Sequence, residues 1–174
     1  MKRKKHGLRG SEFENRINIT LDYYREDGLG LIQKIPTPIT PISISDNKKQ
    51  ISLAYFAKKS TVDYIGVVQG IPVCFDAKEV SVDSFSLNNI HEHQFVFMTD
   101  FEKQDGISFL LIYFKKREIV HYMTYKELCK YYNNKKYNKK SIKFSDLNKS
   151  YNIDISNSLM VPFLKMLQKD LDKR

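Results

Sequence analysis

The sequence predicts one mixed α/β domain. Three observations carry that expectation. Phe13, Ile17, Leu21 and Tyr24 recur at helical spacing near the N-terminus. ISFLLIYF (107–114) is a continuous apolar run of the kind found in a strand covered on both faces. Alternating apolar residues flank Gln69-Gly70, which reads as a β-hairpin with a two-residue turn. The chain has 174 residues, of which 41% are hydrophobic and 13% aromatic, enough for one domain with a real core.

Taken in order, residues 1–9 form a basic arm, and the domain runs from 10 to 174. The first helix extends from Gly10 until Gly28 ends its pattern. LGLIQKI (29–35) reads as a strand. PTPITP (36–41) cannot lie in the middle of a sheet, because proline lacks an amide donor. ISISD and QISLAYF flank the polar NKK, so 36–59 reads as an insertion built on a hairpin and ending at the basic KKS (58–60). The central hairpin follows, then a polar loop (80–90). A helix is expected from His91 to Gln104, with Phe95, Met98 and Phe101 on its core face and Gly106 as its stop. After the apolar strand come a further strand, EIVHYMT (118–124), and a short helix, YKELCKYY. NNKKYNKKS (133–141) reads as a basic loop and 159–171 as a terminal amphipathic helix. No internal repeat is present.

The net charge of +9 and pI near 9.4 point to a polyanionic partner, nucleic acid first. Cys74 and Cys129 stand alone without metal-finger spacing, which fits a reducing cytoplasm. No run approaches the ~18 apolar residues of a membrane span, and the basic start is followed by SEFENRIN where a signal peptide needs an apolar stretch.

STVDYIGVVQGIPVCFDAKEV (60–80) places charges inside this β-structure. With Gln69-Gly70 as the turn, paired residues have numbers summing to 139. Asp63 then falls opposite Asp76, and Thr61 opposite Lys78, all four on one face. The other face reads Val62, Tyr64, Val68, Ile71, Val73, Phe75 and Ala77, which is core. Two carboxylates ~4.5–5.5 Å apart across a strand pair repel. A hard cation such as Mg²⁺ removes that penalty. Lys78 adds a charge able to hold a phosphate oxygen or activate a water, so the set suits phosphodiester hydrolysis. The competing reading is a surface ribbon whose polar face meets water.

TVDYIG followed by DAKE has the Asp…(Asp/Glu)-x-Lys arrangement of the restriction-endonuclease-like nucleases. The ordered series RGSEFENRIN, KIPTPI, AYFAKKSTVDYIG, FDAKE and HEHQ resembles the RecU family of bacterial Holliday-junction resolvases over nearly the whole chain. The resemblance implies a mixed β-sheet flanked by helices with a stalk at 36–59 that enters the junction centre. It implies a homodimer that cuts four-way DNA junctions symmetrically with Mg²⁺ or Mn²⁺. Asp63, Asp76, Thr61 and Gln94 would be metal ligands, Lys78 would stabilise the transition state, and Glu14 would be an acidic residue of the first helix reaching the site. Family partners include the RecA recombinase and the branch-migration machinery. Two departures stand out: Asp76 replaces the family's usual glutamate, and the N-terminal arm is short.

For DNA contact the sequence offers Arg9, Lys48, Lys49, Phe56, Lys58 and Lys59 along the arm and insertion, and His91 and His93 in HEHQ. HEHQ also invites zinc, but two histidines supply only two ligands. His121 reads as a core or edge histidine. YYNNKKYNKK is either a phosphate-contacting segment or a plain loop. Two functional classes remain: a junction endonuclease, and a DNA-binding protein that keeps the fold without cutting. Paired carboxylates facing a polyanion favour the first.

Overall fold

The computed structural model describes residues 11–36, 39–44, 51–56, 61–134 and 140–174. In chain order the elements are α1 (Ser11–Glu26), β1 (Gly30–Lys34), β2 (Ile39–Ile44), β3 (Ile51–Phe56), β4 (Tyr64–Val68), β5 (Ile71–Val80) and β6 (Ser84–Ser86). They continue with α2 (Glu92–Glu102), β7 (Ile107–Phe114), β8 (Ile119–Thr124), α3 (Tyr125–Asn134), β9 (Ser141–Lys143), β10 (Asn152–Asp154) and α4 (Leu164–Leu171).

Six strands form one mixed sheet in the order β1-β4-β5-β7-β8-β10. Only β5 and β7 are parallel, joined by a crossover that carries α2. Their central place explains the composition of ISFLLIYF: every residue of β7 is buried. On one face α1 and α4 bring Phe13, Ile17, Leu21 and Leu167 against Tyr64, Phe75, Phe109 and Tyr122. On the other, α2 and α3 bring Met98 and Leu128 against Cys74, Leu110, Ile112 and Met123. Thr20 fastens the first layer: its hydroxyl accepts from Val161 N at 2.7 Å and donates to the Arg16 carbonyl at 2.8 Å.

The central hairpin has the expected register, from Tyr64↔Phe75 to Val68↔Ile71. Gln69 (φ 47°) and Gly70 (φ 85°) are both left-handed, which matches the twist of flanking strands in a two-residue turn. Gly66 is fixed by packing instead. A Cβ there would lie 2.1 Å from the Leu31 carbonyl oxygen on β1.

β2 and β3 pair with each other in a separate two-stranded sheet. Pro41 pairs with Ala54 next to a register shift. A ribbon of two strands has only edges, so the proline costs no interior hydrogen bond. Ile39, Ile42, Ile51, Leu53 and Tyr55 are all about half exposed or more.

Several expectations need correction. The terminal helix begins at Leu164, not 159, because Pro162 disfavours helical geometry at Val161. Gly106 does not end α2. Asp105 takes the left-handed conformation (φ 59°), and Gly106 is needed where a Cβ would strike the Phe101 ring at 2.3 Å. Val62 packs in the α2-side core rather than with Tyr64 and Phe75, because the ladder ends at Tyr64↔Phe75 and the chain turns there. For the same reason Thr61 does not pair with Lys78 in the ladder. Strands β6, β9 and β10, three residues each, are too short to show a period in the sequence.

Candidate active site

Asp76 is fully buried on β5, 0% exposed, on the face covered by α2. Its Oδ1 accepts from Gln94 Nε2 at 2.7 Å. Its Oδ2 lies in ion-pair contact with the Lys78 ammonium but accepts no aligned hydrogen bond. Burial is the main cause that holds the Asp76 carboxyl up at about 7; the Lys78 charge opposes it, and Asp63 pushes the same way as burial. A carboxylate buried this deeply is costly unless charge and hydrogen bonds compensate it.

Asp63 sits one residue before β4, one step past the last ladder pair. Because the backbone ladder stops there, its side chain takes over: Oδ2 accepts from Ala77 N at 3.0 Å. Its carbonyl accepts from Ile35 N at 2.8 Å, which fastens the end of β1 to the site. The two aspartates are thus neighbours through this side-chain contact, one step beyond the last ladder pair. Thr61 is half-buried in the bend two residues earlier.

Gln94 reaches the site because α2 starts at Glu92, with His91 before it. Its side chain works in both directions: Oε1 accepts from His91 N at 3.3 Å while Nε2 donates to Asp76. The side chain therefore orients Asp76, and its oxygen points to the helix start. His91 and His93 stack at 5.4 Å beside this turn, His91 exposed and His93 half-buried.

Glu14, on α1, is ion-paired with Lys34 at the end of β1, and Lys34 stands opposite Tyr64 in the ladder. The Tyr64 hydroxyl donates to Asn18 Oδ1 at 3.3 Å. Burial first, then the charges of Glu14, Asp63 and Asp76, push the Tyr64 pKa up. Glu14, Asp63 and Asp76 thus all lie around Tyr64, with the Glu14 carboxylate held by a lysine. Lys34, Asn18 and the Tyr64 hydroxyl were not singled out in the sequence. Lys34 had a signal, a lone charge at the end of a strand that leads into Pro36.

Arg9, Lys48, Lys49, Lys58 and Lys59 lie outside the described residues, as do the arm and the NKK turn. Phe56 closes β3 with its backbone paired to Ile39, and its side chain also lies outside them. His121 is buried on β8 between Asn152 Oδ1 (2.8 Å) and Glu127 Oε2 (3.1 Å), a core histidine.

Among the described residues no three His, Cys, Asp or Glu side chains gather to hold a metal. The oxygen-only pair Asp63/Asp76 suits Mg²⁺, which is bound by one or two carboxylates and keeps waters and substrate phosphates as its other ligands. The burial of Asp76 beside Asp63, with Lys78 against its Oδ2, is the observation in favour of that fit.

A family model described as Recombination protein U (RecU) matches residues 8–169. A Pediococcus pentosaceus protein named Holliday junction resolvase RecU is 36% identical over 173 residues, covering 96% of this chain and 86% of the relative. Proteins of the same name are 37% identical in Lactococcus lactis, covering 94% and 78%, and 37% identical in Staphylococcus carnosus, covering 95% and 82%. The match spans the whole sheet, the separate β2–β3 ribbon and both aspartates, and on that extent the chain belongs to the RecU family.

Proposed function

We propose that this protein is a metal-dependent endonuclease that resolves four-way DNA junctions by paired nicks in recombination and repair. The observation that carries the reading is the Asp76 carboxylate, fully buried beside Asp63 and in contact with the Lys78 ammonium. A strand that served only to bind DNA gains nothing from burying paired carboxylates near a polyanion.

Asp63 and Asp76 would hold a Mg²⁺ or Mn²⁺ ion, with Thr61 beside them. When bound, such an ion acts as Lewis acid on a phosphoryl oxygen and lowers the pKa of a bound water. The chain's own residues do the rest. Gln94 fixes the rotamer of Asp76 through the 2.7 Å hydrogen bond. Ala77 N fixes Asp63. Lys78, only 19% exposed, would hold a non-bridging phosphate oxygen and oppose the negative charge that grows in the transition state. Glu14 and Lys34 border the site; their ion pair keeps the glutamate turned to β1. Asp76, one methylene shorter than the family's usual glutamate, would still supply a carboxylate oxygen to such an ion.

In this reading the chain is one nuclease domain, with 1–9 as a basic arm and 36–59 as a stalk for the junction centre. His91 and His93 contact phosphate at the start of α2. The protein works in the cytoplasm as a homodimer, with RecA and the branch-migration machinery as partners by family resemblance. The test is cleavage of an end-labelled four-way junction. Mg²⁺ should give two symmetric nicks and EDTA none. Cutting in EDTA, or no cutting with either Mg²⁺ or Mn²⁺, would overturn the proposal.

A further inference from the structure

A second cleft, of about 600 Å³, opens where α3 meets α4 and the end of α2. It is lined by residues with no part in the site above. Glu102 is eight residues along α2 from Gln94, about 12 Å at 1.5 Å per residue. The cleft holds three acids, and each is engaged inside the protein. Glu102 takes Arg174 at 2.7 Å. Asp170 takes Arg174 and the Tyr122 hydroxyl. Glu127 faces His121 at 3.1 Å.

Three lysines on the rim have no ion pair among the described residues. Lys126 and Lys130 are exposed, four residues apart on α3. Like charges at that spacing repel. Lys173 faces them from beyond α4, its ammonium 5.1 Å from the centre of the Tyr151 ring, a contact that keeps the charge at the mouth of the cleft. Lys169 lies over the same ring at 4.9 Å. The lining thus counts Lys126, Lys130, Lys173 and Arg174 against Glu102, Glu127 and Asp170; the acids are turned to Arg174, Tyr122 and His121, which leaves the three ammonium groups at the rim to meet a polyanion.

We infer that this cleft is a second DNA contact, in which Lys126, Lys130 and Lys173 hold backbone phosphates of a junction arm away from the scissile one. The inference rests on the junction reading above and adds a remote contact to it. Such contacts position the substrate without reading sequence. The proximity of the cleft to α2 links it to Gln94 through a single rigid helix.

The experiment is a salt titration of junction binding, in Ca²⁺ to prevent cutting, with the parent protein, the triple variant Lys126→Ala/Lys130→Ala/Lys173→Ala, and the corresponding triple arginine variant. Each phosphate contact contributes about 0.9 to the slope of log affinity against log salt, so losing three should flatten it by about 2.7. Between 50 and 200 mM salt the parent should then lose about 40-fold more affinity than the alanine variant. The arginine variant should keep the parental slope. An alanine variant with the parental slope, while the parent binds and cuts junctions, overturns this inference and leaves the junction reading intact. A parent that does not bind junctions overturns both. An alanine variant that binds junctions normally but no longer binds anionic phospholipid vesicles would reassign the surface to a membrane.

Discussion

Asp76 carries a charge into a position where strands bury valine, and that makes its titration a measure of the site. Its folded carboxyl titrates near 7 against an ordinary 3.8. Between these values the folded state binds the extra proton, so without metal the protein loses stability as the pH rises through that window, then levels off above it. Asp76→Asn has no proton to lose. In EDTA at pH 8 it should be more stable than the parent by roughly 1–3 kcal/mol, and the gap should shrink toward pH 4. Urea unfolding of both proteins across pH 4–8 checks this, and a parent that gains stability on the variant with rising pH would contradict it. At this scale the sequence was informative where the period-two rule applied, since it placed Asp63 against Asp76. It could not show that Gln94 turns its amide to Asp76 or that Lys34 takes Glu14. Those contacts join elements far apart in the chain, and no local pattern records them.

At the scale of elements, the hairpin β4–β5 and the buried β7 were legible because their signals are local: a turn residue with positive φ, and an apolar run. The three-residue strands and the late start of α4 were not, because neighbours and one proline decide them. Gly66 makes a further test. With the Leu31 carbonyl oxygen 2.1 Å from where a Cβ would sit, Gly66→Ala must push β1 off β4 and should cost about 2 kcal/mol or more, read by urea unfolding. The β2–β3 ribbon carries a different prediction. Its exposed apolar side chains and the three prolines of PTPITP (36–41) that lead into it fit a stiff projection, and insertions of this length are often functional. Shortening 40–56 to a tight turn should preserve the fold and some metal-dependent cutting but abolish the preference for junction over duplex. If the shortened protein chose junctions as the parent does, selection would have to lie on the dimer surface.

For the whole molecule, the net charge of +9 and the one Asp/Asp/Lys set found among the described residues bear on assembly. Symmetric resolution needs two nicks on opposed strands, and a two-fold dimer supplies the second set in matching orientation. Sedimentation with junction bound should give a dimer, and a strict monomer would refute paired cutting by one particle. The central claim is that these carboxylates perform chemistry rather than binding, and Asp63→Asn tests it most directly. That change removes one charge beside Asp76 and leaves the lysines and the rest of the DNA surface in place. Junction affinity in Ca²⁺ and single-turnover cleavage in Mg²⁺ should be measured on the same preparation. The account predicts affinity within a few-fold of the parent and cleavage lower by orders of magnitude. Undiminished cutting by Asp63→Asn would contradict it.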